Sequence, residues 1–286
     1  MKPKLPLILL GLFLMFLSCL SGCGLPSDLF GSYADYYYPD WTPDGKIICV
    51  KAVSRWEETG GFRSISSTKY YIVTMSEEGT QETTIKQTDR LGKVAASPLG
   101  NYIAYTDGNY IRVINLNGVS LNNIDTGAAI ESFDWAPDES RIVYGSNVDI
   151  LTDNRIVVIN RDGSNSQTIA SGRTPSWTST NEANKIIFNS ETNYKIWIYN
   201  LNSSATIEIN ASGFQFDWLP NGSEIIFVDN GIWIINADGN GKNKILNTIL
   251  YFPKASSTGL KFVLGNMNDS GIWTFNKDGT GLKQIK

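Results

Sequence analysis

Histidine is absent from all 286 residues, and sulfur is confined to three cysteines and four methionines. Without an imidazole there is no Ser-His-Asp triad, no Cys-His pair and no His-ligated metal site. Three cysteines are too few for a disulfide-stapled scaffold. Charge is sparse as well: 24 Lys and Arg stand against 28 Asp and Glu. No basic block interrupts this balance, which argues against a nucleic-acid partner. Beyond residue 22 no segment carries a helical period. What the chain does have is 42% apolar residues, 12% aromatics and 26 glycines. That is enough for a sizeable core built of strands and tight turns.

The first residues read as a targeting segment. Lys2 and Lys4 precede an almost wholly apolar run over 5–20, somewhat short for a spanning helix. Leu20-Ser21-Gly22-Cys23 then places small residues before a cysteine. This resembles the lipobox of bacterial lipoproteins, and the resemblance implies cleavage before Cys23 and a diacylglycerol thioether on its sulfur. The simpler reading is an ordinary secretory signal with an incidental cysteine. With lipid attached, the chain is anchored to a membrane rather than spanning it. Loss of residues 1–22 leaves 22 basic against 28 acidic residues, a formal charge of −6. Such a surface is not drawn to anionic headgroups, so the lipid does the anchoring. Cys49, in the strand-like Ile47-Ile48-Cys49-Val50, then has no intramolecular partner and reads as a buried small hydrophobe. Residues 23–37 are expected to form the lipidated N-terminus and a connector, and 38–286 one folded domain.

That domain is repetitive, and the repeat decides the fold. Phe133-Asp134-Trp135-Ala136-Pro137-Asp138 leads into the strand-like Arg141-Ile142-Val143-Tyr144. A second apolar strand follows over 156–160, then the turn Asp162-Gly163. Related openings occur at Trp41-Thr42-Pro43-Asp44-Gly45, Ala96-Ser97-Pro98-Leu99-Gly100, Trp177-Thr178-Ser179-Thr180, Trp218-Leu219-Pro220-Asn221-Gly222 and Ala255-Ser256-Ser257-Thr258-Gly259. The sixth has lost both Trp and Pro. Second-half strands fall at 71–75, 111–115, 156–160, 196–200, 232–236 and 272–276. Turns at Asn117-Gly118, Asp162-Gly163, Asp238-Gly239 and Asp278-Gly279 are hairpin signals, because they need residues tolerant of positive φ. Each unit predicts a four-stranded antiparallel sheet. One such sheet cannot bury both faces, but six set radially bury one another. The expectation is therefore an all-β fold, a six-bladed β-propeller of four-stranded antiparallel blades. Blade one packing on blade six could close it, or a strand exchanged between the termini around 35–38.

Trp-x-Pro-Asp-Gly before an apolar strand, then Ile-Trp-Ile-x-Asn and Asp-Gly, resembles the repeat of TolB-type β-propellers over roughly residues 38–286. The resemblance implies the architecture and makes a role in an envelope complex an expectation by analogy. The lack of histidine sets the chain apart from the His-dependent lyases among related propellers.

No residue set points to catalysis, a metal or a cofactor. Asp44, Asp138, Asp162, Asp238 and Asp278 recur, but each sits in a turn where Asp caps nearby backbone. Trp41, Trp135, Trp177 and Trp218, and separately Trp197, Trp233 and Trp273, read as packing between blades, with ligand stacking as the other use. The repeat is broken at insertions over 51–69 and 145–155, expected on one face of the propeller, where long loops tend to bind. The first carries Arg55, Trp56, Phe62 and Arg63, residue types enriched at interaction hot spots. The other reading folds Trp56 and Phe62 down over the propeller. The function expected is a membrane-anchored envelope lipoprotein whose propeller binds a protein or peptide without catalysis. A glycan-binding protein or enzyme using the central channel is the alternative, favoured if acidic and basic side chains converge there. Gly24 after Cys23 implies an outer-membrane site facing the periplasm in a two-membrane envelope. In a one-membrane envelope the anchor leaves the protein on the outer face of the cytoplasmic membrane.

Overall fold

A computed structural model describes residues 30–59, 62–90, 92–147, 154–180, 184–248, 250–265 and 271–286. Residues 1–22 and Cys23 lie outside the described residues, as do 148–153 of the second insertion. The described chain forms six four-stranded antiparallel sheets, each made of four consecutive strands. Blade 1 comprises β1 (Phe30–Trp41), β2 (Ile47–Thr59), β3 (Phe62–Met75) and β4 (Thr83–Thr88). Blade 2 comprises β5 (Val94–Ala96), β6 (Tyr102–Asp107), β7 (Tyr110–Asn115) and β8 (Ser120–Asp125). Blade 3 comprises β9 (Ala129–Trp135), β10 (Arg141–Asn147), β11 (Asn154–Asn160) and β12 (Gln167–Ser171). Blade 4 comprises β13 (Arg173–Trp177), β14 (Lys185–Asn189), β15 (Lys195–Asn200) and β16 (Ala205–Ser212). Blade 5 comprises β17 (Phe214–Trp218), β18 (Glu224–Val228), β19 (Ile232–Asn236) and β20 (Asn243–Leu246). Blade 6 comprises β21 (Tyr251–Ala255), β22 (Lys261–Gly265), β23 (Ile272–Asn276) and β24 (Lys283–Gln284). The fold is a six-bladed β-propeller.

The two middle strands of each blade are apolar on both faces because each face meets a neighbouring blade. In blade 5, Glu224 to Val228 pair in register with Asn236 to Ile232, and Ile225, Ile226, Phe227 and Val228 are all buried. Six hydrophobic cores result, each between successive blades. The core between blades 6 and 1 joins Val263 and Ile272 to Tyr36, Trp41, Ile47, Cys49, Val73 and Met75. The ring thus closes by packing of blade 1 on blade 6, and residues 35–38 stay in blade 1. Polar contacts brace the seam: Lys261 Nζ lies 2.8 Å from Glu77, and Lys286 Nζ 3.3 Å from Glu82. The glycine turns serve the same packing. Gly79 (φ +77°) and Gly279 (φ +83°) sit so near the outer strand of the preceding blade that a Cβ would fall 2.3 Å from a carbonyl oxygen of Ile285 or Ile245. No other residue combines that φ with that approach.

Compact packing divides the chain into two units. Ala34–Ala52 with Lys69–Lys286 is the propeller just described. The other unit is Met1–Tyr33 with Val53–Thr68, of which the described part begins at Phe30. Two sequence expectations need adjusting here. Residues 51–69 are extended strand in β2 and β3, not an irregular loop, apart from the two undescribed residues at 60–61. Val53, Thr68 and the alternating Ser/Thr, aromatic and charged residues between them favour strand over loop. β1 likewise begins at Phe30, within the stretch assigned to a connector, because Tyr33, Tyr36, Tyr37 and Tyr38 supply strand-forming aromatics.

Candidate functional site

The innermost strands β1, β5, β9, β13, β17 and β21 surround the propeller axis. Their last residues are Trp41, Ala96, Trp135, Trp177, Trp218 and Ala255; the residues just before are Asp40, Ala95, Asp134, Ser176, Asp217 and Lys254. The final position works as an inter-blade wedge. The Trp41 indole N–H donates to the Lys254 carbonyl at 3.1 Å, Trp218 to Ser176 at 3.4 Å and Trp135 to Ala95 at 3.5 Å. All four tryptophans are at most 8% exposed. They pack between blades, as their periodic placement suggested. Trp197, Trp233 and Trp273 are half-buried against neighbouring inter-blade cores.

The position before the wedge faces forward and ties one blade to the next. Asp134 accepts from the Trp135 N–H at 2.9 Å, and across the gap from the Ser176 hydroxyl at 2.8 Å and the Trp177 N–H at 2.9 Å. Asp217 accepts from the Ala255 N–H at 2.7 Å. Asp40 accepts from the Trp41 N–H at 2.9 Å. In blade 6 the equivalent residue is a lysine. Lys254 Nζ lies 3.1 Å from Asp217 and reaches 3.9 Å from Asp134 in the blade opposite. Its side chain is 22% exposed, those of Asp134 and Asp217 16% and 14%, so this is an interior ion cluster. Three carboxylates surround one ammonium.

The charges respond accordingly. Burial pushes the Asp40 carboxyl up to about 7, with Lys254 opposing and Asp217 and Asp134 adding to the rise. Burial also raises Asp217. Burial alone would lower the Lys254 ammonium, but Asp134, Asp217 and Asp40 together hold it above its usual value. A backbone device aims these side chains. Three residues before the wedge, Tyr38, Thr174, Gln215 and Phe252 take φ of +51°, +48°, +54° and +56°. The strand register shifts at this point in blades 4, 5 and 6, marking a β-bulge. Four non-glycine residues in the left-handed region are each strained by about 1–3 kcal/mol, and all four line the axis.

Lys254 lies between two cavities on the axis. One, of about 270 Å³, holds Asp40, Asp134 and Asp217 among the opening turns of the blades. The other, of about 60 Å³, takes residues from all six blades, among them Tyr38, Lys93, Ser132, Thr174, Gln215 and Phe252, and has no carboxylate in its wall. Acidic and basic side chains do converge in the channel. Among the described residues, no group of three or more His, Cys, Asp or Glu is placed to hold a metal ion.

The turn aspartates behave as caps. Asp162, Asp238 and Asp278 accept from the backbone N–H two residues on, at 2.9 Å each; the Ser164 and Thr280 hydroxyls, donating at 2.6 Å, do most to hold Asp162 and Asp278 below the ordinary range, and the Asn240 N–H does so for Asp238. Blade 3 departs from the pattern: Glu139 (φ +58°) occupies a turn position that is Gly45 in blade 1 and Gly222 in blade 5. Its buried carboxylate accepts from the Leu99 N–H at 2.8 Å and the Asn101 side-chain amide at 2.9 Å, tying blade 3 to blade 2.

The four residues singled out in the first insertion all belong to the second compact unit. Arg55 and Trp56 line one cavity with Gly31, Ser32, Glu57 and Ser66. The Trp56 ring covers Gly31 so closely that a Cβ there would fall 2.5 Å from it. The Arg63 guanidinium stacks 4.3 Å from the Trp56 ring centre and its Nε lies 3.4 Å from Glu58. Phe62 stands 81% exposed, Ile65 59% and Tyr33 44%. Three of the four are thus brought together, and Phe62 is left to solvent.

The axial residues Asp40, Asp134, Asp217 and Lys254 escaped the sequence reading, although a signal existed. The dipeptide Asp-Trp occurs at the same point of units one, three and five. It was overshadowed by the turn aspartates, which are equally periodic.

No protein-family model matches the sequence, and no curated protein resembles it in sequence. Among solved structures, a putative TolB from Agrobacterium tumefaciens superposes with a TM-score of 0.63 at 17% identity, covering 72% of this chain and 84% of that one. TolB from Acinetobacter baumannii gives 0.51 at 12% identity, covering 82% and 68%. An oligogalacturonate lyase in complex with manganese gives 0.57 at 13%, covering 89% and 78%. At these identities the likeness establishes the fold: a propeller of the TolB-like kind.

Proposed function

We propose that this chain is a bacterial envelope lipoprotein, anchored through Cys23, whose β-propeller is a non-catalytic scaffold for a protein or peptide partner. The observation that carries this reading is the unit of Phe30–Tyr33 with 53–68. It presents Phe62, Ile65 and Tyr33 to solvent beside an Arg63–Trp56 stack, a concentration of exposed apolar and cationic groups suited to a hot spot. Charged side chains converging on the axis meet the condition set for the alternative, a channel that binds a glycan or catalyses, but the use made of them weighs against it. Asp134 and Asp217 are occupied by blade-to-blade hydrogen bonds and by Lys254, a structural employment rather than that of a free acid–base pair. Likeness to TolB structures agrees with a protein partner at the level of fold.

Six residues lie between Cys23 and Phe30, so the reach from one to the other is at most about 25 Å. A lipid on Cys23 therefore holds the Phe30 end of β1 near the membrane, where an envelope partner would be met. The site is the periplasmic face of the outer membrane in a two-membrane cell, or the outer face of the cytoplasmic membrane in a one-membrane cell. Crosslinking in native membranes tests the reading. Trp56→Ala with Arg63→Ala is expected to lower partner recovery while the melting temperature holds. Unchanged recovery would remove the hairpin from the interface. Separately, Cys23→Ser is expected to abolish lipid labelling, and persistent labelling would place the lipid elsewhere.

A further inference from the structure

We propose that the carboxylate-free cavity on the propeller axis, built around Lys93, Ser132, Gln215 and Phe252, is a binding site for a small monocarboxylate. The inference is independent of the anchor and of the hairpin.

Two polar residues of this wall already have acceptors, Lys254 in Asp217 and Thr174 in Asn189; Lys93, Ser132 and Gln215 still have donors to place. Lys93, just before β5, has its ammonium 5.1 Å from the centre of the Phe252 ring. Among the described residues no carboxylate lies within salt-bridge distance of it. The nearby acids are committed elsewhere: Glu131 to Arg173 at 2.9 Å, and Asp134 to Ser176, Trp177 and Lys254. The Ser132 hydroxyl is buried, with 6% exposure, and has no hydrogen-bond partner. Gln215 spends its side-chain oxygen on the Phe252 N–H at 2.9 Å, which leaves its NH₂ group to donate. A buried donor left unpaired is costly, and the Ser132 hydroxyl, set beside the Lys93 ammonium and the Gln215 NH₂ group, defines what would satisfy it: an acceptor carrying one negative charge.

Size and polarity narrow the class. Pro39, Phe133, Pro175, Phe216, Phe252 and Pro253 make the rest of the wall largely apolar. A volume of about 60 Å³ gives room for roughly four to six water-sized groups. One uncompensated cation suits a single charge rather than a phosphate dianion. A carboxylate bearing a short aliphatic chain fits on all three counts. Its head would meet Lys93 and Ser132, and its tail the prolines and phenylalanines. The T-shaped contact of Tyr38 and Phe252, with ring centres 5.1 Å apart, holds the aromatic wall in place.

Propionate is the probe, set against chloride at equal ionic strength and against neutral 1-propanol of similar size. The expected result is a saturable rise in melting temperature of the mature chain with propionate alone. Lys93→Met should weaken that response about tenfold or more, since a charge-assisted hydrogen bond is lost. Ser132→Ala should weaken it less. A pH series on the unmutated protein keeps the test independent of how variants fold. Burial lowers the Lys93 ammonium to about 8, with Glu131 and Asp134 opposing and Lys254 assisting. Propionate binding should therefore fade between about pH 7 and pH 9 as the ammonium loses its proton. An equal response to propanol, a response unchanged in Lys93→Met, or binding that persists undiminished at about pH 9 would each overturn the proposal. So would the absence of any saturable response.

Discussion

Lys254→Met puts the axial charge cluster to a quantitative test. The ammonium lies 3.1 Å from Asp217 and 3.9 Å from Asp134, and also steadies Asp40. Methionine keeps most of the stem and removes only the charge. Stranding buried carboxylates in this way costs about 3–5 kcal/mol. For a domain of this size about 2–4 °C is lost per kcal/mol, so the melting temperature should fall by roughly 6–20 °C near neutral pH. The sign of the pH dependence follows from proton binding. Asp40 and Asp217 have folded values above their unfolded ones. Such a group holds more protons in the native state between the two values, so stability is lost as pH rises through that window. For Asp40 the window ends at about 7 in the native protein. Removing Lys254 takes away the term that lowers it, and the window extends upward. The deficit should therefore be small near pH 5, where Asp40 is protonated, and full near pH 8. Chemical denaturation at both pH values measures it. Adding Asp217→Asn to the variant should recover more than about 1 kcal/mol at the higher pH, because the two residues share one interaction. A deficit equal at both pH values, or strictly additive losses in the double variant, would refute the coupled cluster.

Glu139→Gly sets backbone strain against inter-blade hydrogen bonds. Glycine relieves the left-handed φ by about 1 kcal/mol but forfeits two charge-assisted bonds of about 1.5–3 kcal/mol each, so a net loss of about 2–5 kcal/mol is expected near neutral pH. Burial opposes ionisation of Glu139, but its bonds to Ser97, Asn101 and Leu99 win and hold the carboxyl below its ordinary value. Its stabilisation is therefore present above that ordinary value and lost as pH falls, so urea midpoints of the two proteins should converge towards about pH 3. Cys49 is fully buried, and burial pushes its thiol up. Its modification by a thiol reagent should follow unfolding across a urea series, and rapid labelling of the native protein would contradict that placement.

The architecture was legible because each repeat carries its own local instructions. Pro-Asp-Gly and Asp-Gly fix the turns, and runs such as Ile225-Ile226-Phe227-Val228 can only be strands covered on both sides. The spacing of Trp135, Trp177 and Trp218 gave the blade length. What could not be read was anything set by the ring as a whole. Lys93 and Phe252 meet at the axis although four blades lie between them in sequence. The left-handed residues Tyr38, Thr174, Gln215 and Phe252 share no side-chain type, so nothing local marks the bulge. The extended strands over 51–59 and 62–69 look like a loop in sequence because, being rich in Ser and Thr, they have no apolar face to reveal their period.

Blade 6 shows why departures from the repeat matter more than the repeat. By sequence it is the most degenerate unit, having lost the Trp and Pro of its opening turn. Yet its Lys254 occupies the position where blades 1, 3 and 5 bring aspartates to the axis. Another aspartate there would have left four carboxylates in one interior space with no counter-charge, a state that ionisation could not sustain. The Asp-Trp dipeptides of blades 3 and 5 are ordinary within their own blades, tying each to the next through Ser176 and Trp177 or through Ala255, while Asp40 accepts from the Trp41 N–H. Only closure of the ring puts those charges together, and only then does blade 6 acquire its role. The same substitution separates an acidic cavity holding Asp40, Asp134 and Asp217 from a donor-lined one around Lys93. An axis lined by one residue repeated six times would present the same chemistry at both ends. This one keeps its three carboxylates on the side of the opening turns, with Lys254 in the wall of both cavities and Lys93 in the wall of the other.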